Sequence, residues 1–382
     1  MNFNLNNLGN MVNNNGNNTV TRKSGGIFGG IIIGIVLLIA GTILLWWNEG
    51  NNVKNIQTVK EVSEKAITVS SSPIDSKNDG KLICTSGPVE IISNNSYYTN
   101  SSDPMAGIKT AKYTKVVEMY QWEEEKHESD NRTTYTYKAK WSEKKIDSSK
   151  FHQAGHDNVG SFPYTTKSYY ADEVKVGDFK LSQQQIENLP TDKMLELNSN
   201  TPVTEIGYKV YGNYITNTQN PDNPNIGDIR ISYKYNDYSE VTVLAVQHGN
   251  TFTNFVSDSG KEVNRVEKGI LNSSQITGKM TDENNMLKWG LRALGAVLII
   301  IGYIAIVSPI SKLASFVPIL GNIVGTALAF IASLIGIVHS FLIIAIAWIR
   351  YRPVLGISLI VAAIALIATI IVLIVKKKKQ AA

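Results

Sequence analysis

Uncharged stretches and strictly alternating stretches divide this chain between two kinds of surroundings. Residues 26–47, 293–310 and 354–375 contain no Asp, Glu, Lys or Arg. Each is long enough to cross roughly 30 Å of hydrocarbon as a helix. A fourth uncharged stretch, 313–349, is longer than one crossing needs, and Pro318, Gly321, Asn322 and Gly325 interrupt its first half. The pattern predicts transmembrane helices over 25–47, 288–310, 326–348 and 353–375, with an irregular or re-entrant connection over 311–325. The first run ends in Trp46-Trp47-Asn48-Glu49, where a cleaved leader would carry small residues, so it reads as a permanent anchor. Paired tryptophans suit the headgroup level, with Asn48 and Glu49 where water begins.

Between the first two spans, residues 48–287 follow another rule. The apolar positions Val53, Ile56, Val59, Val62 and Ala66 recur at helical spacing, predicting a helix that leaves the membrane. In "TTYTYKAKW", Tyr135, Tyr137, Ala139 and Trp141 share one strand face. In "DIRISYKY", Ile229, Ile231, Tyr233 and Tyr235 do the same. "KVVEMYQW" is expected to pair with the first of these across a charged linker from Glu123 to Thr133. "EVTVLAVQH" follows the second across the short segment Asn236 to Ser239. Apart from the 51–70 segment, only "SQQQIENLP" looks helical here. The expected fold class is therefore an α+β membrane protein: four transmembrane helices plus a β-rich domain of antiparallel sheets, as two sheets or barrels divided near residue 180.

Charge and composition add an orientation. Arg22 and Lys23 precede the first span and Lys376 to Lys379 follow the last, which favours the cytosolic side for both ends. Residues 1–24, rich in asparagine, then form a disordered cytosolic tail, residues 376–382 a basic cytosolic tail, and 48–287 a lumenal domain. Arg350, Arg352, Lys288 and Arg292 run against this bias. Cys84 is the only cysteine, so no intramolecular disulfide staples the domain. Asn94, Asn100, Asn131 and Asn272 begin glycosylation sequons, a pattern that also arises by chance in an asparagine-rich chain.

Candidate chemistry is sparse. Glu123, Glu124 and Glu125 with His127 alternate across a strand and do not converge, so they read as a solvated charged turn. His152 and His156 with Asp157 have the spacing of two zinc ligands on a helix, but Gly155 lies between them and no third motif completes a site. No metal, cofactor or catalytic residue is expected. "GGIFGGIIIG" resembles a dinucleotide loop only superficially, and its small-x3-small spacings permit close helix approach instead. His339 is the only ionisable residue deep in an apolar run, too few for a proton or ion relay. Asn322, Thr326, Ser333 and Ser340 can supply hydrogen bonds between helices.

Seven motifs carry a resemblance: "WNEG" at 47–50, "VEMYQWEE" at 117–124, "YTYKAKW" at 135–141, "AGHDN" at 154–158, "IGDIRIS" at 226–232, "KWGLRALG" at 288–295 and "YRPVLG" at 351–356. In this order the chain resembles the LUMA, or transmembrane protein 43, family from about residue 25 onward. The resemblance implies a multi-pass protein of the endoplasmic reticulum and inner nuclear membrane, not an enzyme. It would self-associate and organise membrane protein complexes, with partners such as emerin-like or lamina-associated proteins where an organism has them. The lipid bilayer and further copies of itself are the expected partners; nucleic acid is not. The motifs single out Trp47, Glu49, Trp122, Trp141, His156, Trp289, Arg292, Tyr351, Arg352 and Pro353 as structural or interaction residues. On the chosen orientation Glu49 lies at the same surface as Arg292 and Arg352 and is expected to pair with one of them. The rival readings are a transporter or channel formed by the C-terminal spans, and a lumenal metal-dependent enzyme.

Overall fold

The structure is a computed structural model that describes residues 27–93, 102–129, 132–314, 320–354, 357–358 and 361. The asparagine tract, the basic tail, most of the expected span 353–375 and the sequons at Asn94, Asn100 and Asn131 lie outside the described residues. The chain forms two compact units, Lys54–Asp282 and Met1–Val53 with Glu283–Ala382.

Among the described residues three helices are long and apolar enough to cross a membrane. These are α1 (Ile27–Lys65), α3 (Ser273–Ala314) and α4 (Leu320–Tyr351); the short helix α2 (Gln183–Asn188) lies between them in sequence. The expectation of an irregular piece over 311–325 is corrected on both sides, because α3 runs through Pro309 to Ala314 and α4 starts at Leu320. Glycines at 321 and 325 cost a helix about 1 kcal/mol each, but an unbonded backbone group in hydrocarbon costs several times that, so the helix persists. α1 and α3 also outrun their expected spans at the polar end. Val62 of α1 and Ile276 of α3 are fully buried there against a sheet, and burial of that face stabilises the extensions.

In the β-rich unit the strands are β1 (Ile67–Ser70), β2 (Leu82–Ser93), β3 (Lys112–Ser129), β4 (Arg132–Ser142), β5 (Lys167–Tyr170), β6 (Glu173–Val176), β7 (Phe179–Lys180), β8 (Lys193–Met194), β9 (Lys209–Tyr211), β10 (Tyr214–Thr216), β11 (Ile229–Tyr235), β12 (Glu240–His248), β13 (Thr251–Thr253), β14 (Phe255–Val256), β15 (Glu262–Val263) and β16 (Arg265–Lys268). One seven-stranded sheet has the order β13-β12-β2-β6-β7, with β1 on β2 and β16 on β12. A second has the order β4-β3-β11-β10-β9, with β5 on β3 and β8 on β11. The described pairings are antiparallel apart from β1 with β2, which is parallel.

The expected division near residue 180 is not where the chain divides. The second sheet is an insertion within the first, because β6 and β7 return to the first sheet before β8 goes back to the second. β12 follows β11 in the chain as expected yet joins the other sheet, against β2. Its apolar run explains the choice. Val241, Val243 and Ala245 face one core with Phe179, Ile186 and Leu189, while Leu244 faces another with Leu82, Cys84, Val62 and Ile276. A strand buried on both faces needs a partner deep in a layered sheet.

The second sheet keeps its core on the face of Ile229, Ile231 and Tyr233, with Val117, Met119 and Ile215. The expected charged linker Glu123 to Thr133 is instead strand: β3 continues to Ser129 and β4 starts at Arg132. Glu123 pairs with Lys140 and Glu125 with Lys138 across the ladder, so opposite charges hold the ribbon in register. Glu124 points to the other face, where its carboxylate accepts from the Tyr137 hydroxyl and the His152 backbone N–H.

Candidate functional site

The WNEG segment does not end α1, and that continuity sets its geometry. Within the helical unit, residues 46–52 stay helical, and successive side chains turn toward different neighbours. Asn48, Glu49 and Asn52 are no more than 2% exposed. A carboxylate so buried requires a partner, since isolated charge costs several kcal/mol to desolvate. Arg292 of α3 supplies it in a two-pronged contact, Nε to Oε1 at 2.6 Å and Nη2 to Oε2 at 2.9 Å. Trp348 of α4 donates its indole N–H to the same Oε2 at 2.6 Å. One carboxylate thus bonds two other helices at once.

The surrounding contacts repeat the arrangement. The Arg292 guanidinium lies 4.7 Å from the Trp289 ring centre and 5.4 Å from that of Trp348, so aromatic faces cover the part of the cation that Glu49 does not. Asn48 Nδ2 donates to the Lys288 carbonyl at 3.1 Å, and Asn284 Nδ2 donates to Asn52 Oδ1 at 2.8 Å. Gly50 has no side chain for a definite reason. A Cβ there would sit 2.8 Å from the Tyr351 ring, which also packs on Trp46 at 6.1 Å between centroids.

Toward the middle of the spans, Tyr303 Oη meets His339 Nδ1 at 3.1 Å and Thr42 Oγ1 meets His339 Nε2 at 3.4 Å. The one histidine of the apolar runs therefore bridges α4 to both α1 and α3. Glycines set the distance between α1 and α3. A Cβ on Gly34 would come 2.7 Å from the Gly302 carbonyl oxygen, and one on Gly41 would come 2.8 Å from that of Gly295. Two glycines seven residues apart on each helix let the backbones touch, which puts Glu49 within reach of Arg292.

Of the residues singled out by sequence, Glu49, Arg292 and Tyr351 are brought together here. Trp289 covers the guanidinium while remaining 62% exposed. Trp47 is 52% exposed and points out of the cluster. Arg352 gives its backbone N–H to the Trp348 carbonyl, and Pro353 is exposed just beyond. Trp122, Trp141 and His156 belong to the β-rich unit and form a different feature. His156 is stacked on Tyr137 at 3.9 Å and edge-on to Trp122 at 4.8 Å, while His152 stacks on Tyr135. The two histidines thus pack on separate tyrosines. Among the described residues no cluster of three His, Cys, Asp or Glu side chains is arranged for a metal. Asn158 of the same motif brackets the Trp122 backbone, accepting from its N–H at 2.7 Å and donating to its C=O at 2.9 Å. Trp141 lies under Arg230, itself paired with Glu118.

Trp348, Asn52, Asn284, Tyr303 and Thr42 were not anticipated as site residues. The seven-residue glycine spacing on both helices was the signal that could have placed α1 against α3.

The sequence profile described as transmembrane protein 43 matches residues 119–353. The chain belongs to the transmembrane protein 43 family. It is 26% identical to transmembrane protein 43 of Homo sapiens over 379 residues, covering 92% of this chain and 90% of that protein. It is 27% identical to the Pongo abelii protein over 355 residues, 86% and 85% of the two chains. The transmembrane protein 43 homolog of Drosophila melanogaster is 27% identical over 344 residues, 85% of this chain and 90% of its own. No solved structure matches. Family membership and the apolar helices together make this a membrane protein.

Proposed function

We propose that the protein is a non-enzymatic scaffold of the endoplasmic reticulum and inner nuclear membrane. Its β-rich unit faces the lumen, and it self-associates and organises membrane protein complexes that maintain the nuclear envelope. The observation that carries this reading is how the spans use their polar groups. Glu49, Arg292 and Trp348 bond each other, and His339 bonds Thr42 and Tyr303. Polar groups buried between these helices, at a cost of a few kcal/mol each when unpaired, hold the helices together here. A scaffold needs that rigidity, whereas a transporter keeps polar groups open to cargo.

Proximity labelling from a peroxidase fused to the β-rich unit tests the proposal. The expected result is a reproducible set of membrane proteins, including further copies of the chain, that disappears when residues 287–382 are removed. Recovery of the same bulk lumenal proteins with and without those residues would refute it. A transporter or channel is the second reading, favoured by His339 alone. It requires ion flux from protein in liposomes that His339→Ala abolishes.

A further inference from the structure

The N-terminus of α3 is built on a residue whose side chain is only half used. Asn272 precedes the helix, and its Oδ1 accepts the backbone N–H of Gln275 at 2.9 Å while the Gln275 Oε1 accepts the Asn272 backbone N–H at 2.9 Å. This is a reciprocal capping arrangement, which satisfies two backbone donors that the first helical turn leaves open. Among the described residues the Nδ2 of Asn272 has no protein acceptor, and the residue is exposed. Asn272-Ser273-Ser274 is also an N-glycosylation sequon, with Ser274 exposed on the first turn.

We infer that Asn272 carries an N-linked glycan that the folded cap accommodates without loss, an inference that rests on the lumenal placement of the β-rich unit. The chemistry divides the side chain. Capping uses the amide oxygen, and glycosylation uses the amide nitrogen. In the transfer, Nδ2 forms a bond to the anomeric carbon of a lipid-linked sugar diphosphate. The carbon–oxygen bond to the diphosphate breaks, the diphosphate leaves with the electron pair, and an amide proton is lost to a base. No oxidant or reductant is consumed. The modified residue keeps its Oδ1 lone pairs for Gln275 and one N–H, so the helix start is unchanged while a bulky polar group stands on the exposed side.

The other four sequons are removed for the test as Asn17→Gln, Asn94→Gln, Asn100→Gln and Asn131→Gln in the full chain, expressed in a eukaryotic secretory system. The mass of the membrane-extracted protein is then read before and after a peptide N-glycosidase. One removable glycan is expected. It should vanish on adding either Ser274→Ala, which spares the cap, or Asn272→Asp, which keeps a capping oxygen, with the size-exclusion profile unchanged for both. As a control for placement, Asn200→Thr creates a sequon at the exposed Asn198. A glycan at Asn198 without one at Asn272 overturns the inference and leaves the lumenal reading intact. Absence of glycan at both positions overturns the inference together with the lumenal reading.

Discussion

At the residue scale the central contact is a charge pair with an extra donor. Glu49 is 1% exposed at its side chain and Arg292 11%, so removing either strands the other in a dry environment. Each of Glu49→Ala and Arg292→Ala is expected to cost about 3–5 kcal/mol, and the double mutant clearly less than their sum. Denaturation of the protein in mild detergent checks this; additive losses would mean that the two groups do not interact. In the β-rich unit, Glu205 and Lys115 form the corresponding buried pair. Burial acts to raise the Glu205 carboxyl, but the Lys115 ammonium, the Thr204 hydroxyl and a backbone N–H together outweigh that and leave it below its ordinary value. Its stabilising contribution is therefore present above the unfolded carboxylate range near 4.5 and lost as pH falls through the lowered value. Glu205→Gln should remove that acid-limb dependence and destabilise the unit at neutral pH, and Lys115→Met in addition should restore part of the loss. The pairing of Glu49 was legible because a carboxylate next to an apolar run and two arginines near other span ends invite it. The choice of Arg292 was not, since it depends on the azimuth of α3, which the glycines fix.

At the element scale, close approach of α1 and α3 depends on positions where any side chain would collide with backbone. Gly41→Leu would drive atoms into the Gly295 carbonyl and Ile299. Overpacking of this kind costs about 1–3 kcal/mol. The expected outcome is a lower thermal midpoint in detergent and loss of an engineered α1–α3 crosslink. Gly29→Leu, where a Cβ meets nothing within 4 Å, should leave both unchanged. The strands show why pattern reading succeeds and where it stops. Period-two alternation located β4 and β11 because each has one more buried face. It says nothing of which sheet a strand joins, so the insertion of one sheet within the other was not visible. It also gave Glu123 to Thr133 as a linker, because charge usually marks a loop, whereas β3 runs on to Ser129 and Glu123 and Glu125 meet lysines on the neighbouring strand.

At the scale of the whole molecule, tyrosines give the β-rich unit an alkaline limit. Burial pushes the Tyr208 hydroxyl up to about 12 and raises those of Tyr233 and Tyr238 further. A raised value means that the folded state holds its proton more tightly, so this stability is complete below the unfolded value of about 10 and lost as pH rises beyond it. The urea midpoint of the unit should be flat from about pH 7 to 9 and fall between roughly pH 10 and 12. Tyrosinate absorbance should rise along with loss of structure. The sequence disclosed three of the membrane helices and the β-rich character of the remainder, because hydropathy and period-two alternation are local. Nesting of the sheets and the three-helix junction are properties of contacts between distant positions, and no local pattern encodes them. The proposed function requires the β-rich unit to face the lumen and both chain ends to face the cytosol. Protease digestion of sealed microsomes tests that claim most directly: the account predicts a protected fragment containing residues 54–282 together with loss of tags at both chain ends. Digestion of that fragment with both tags retained would contradict it.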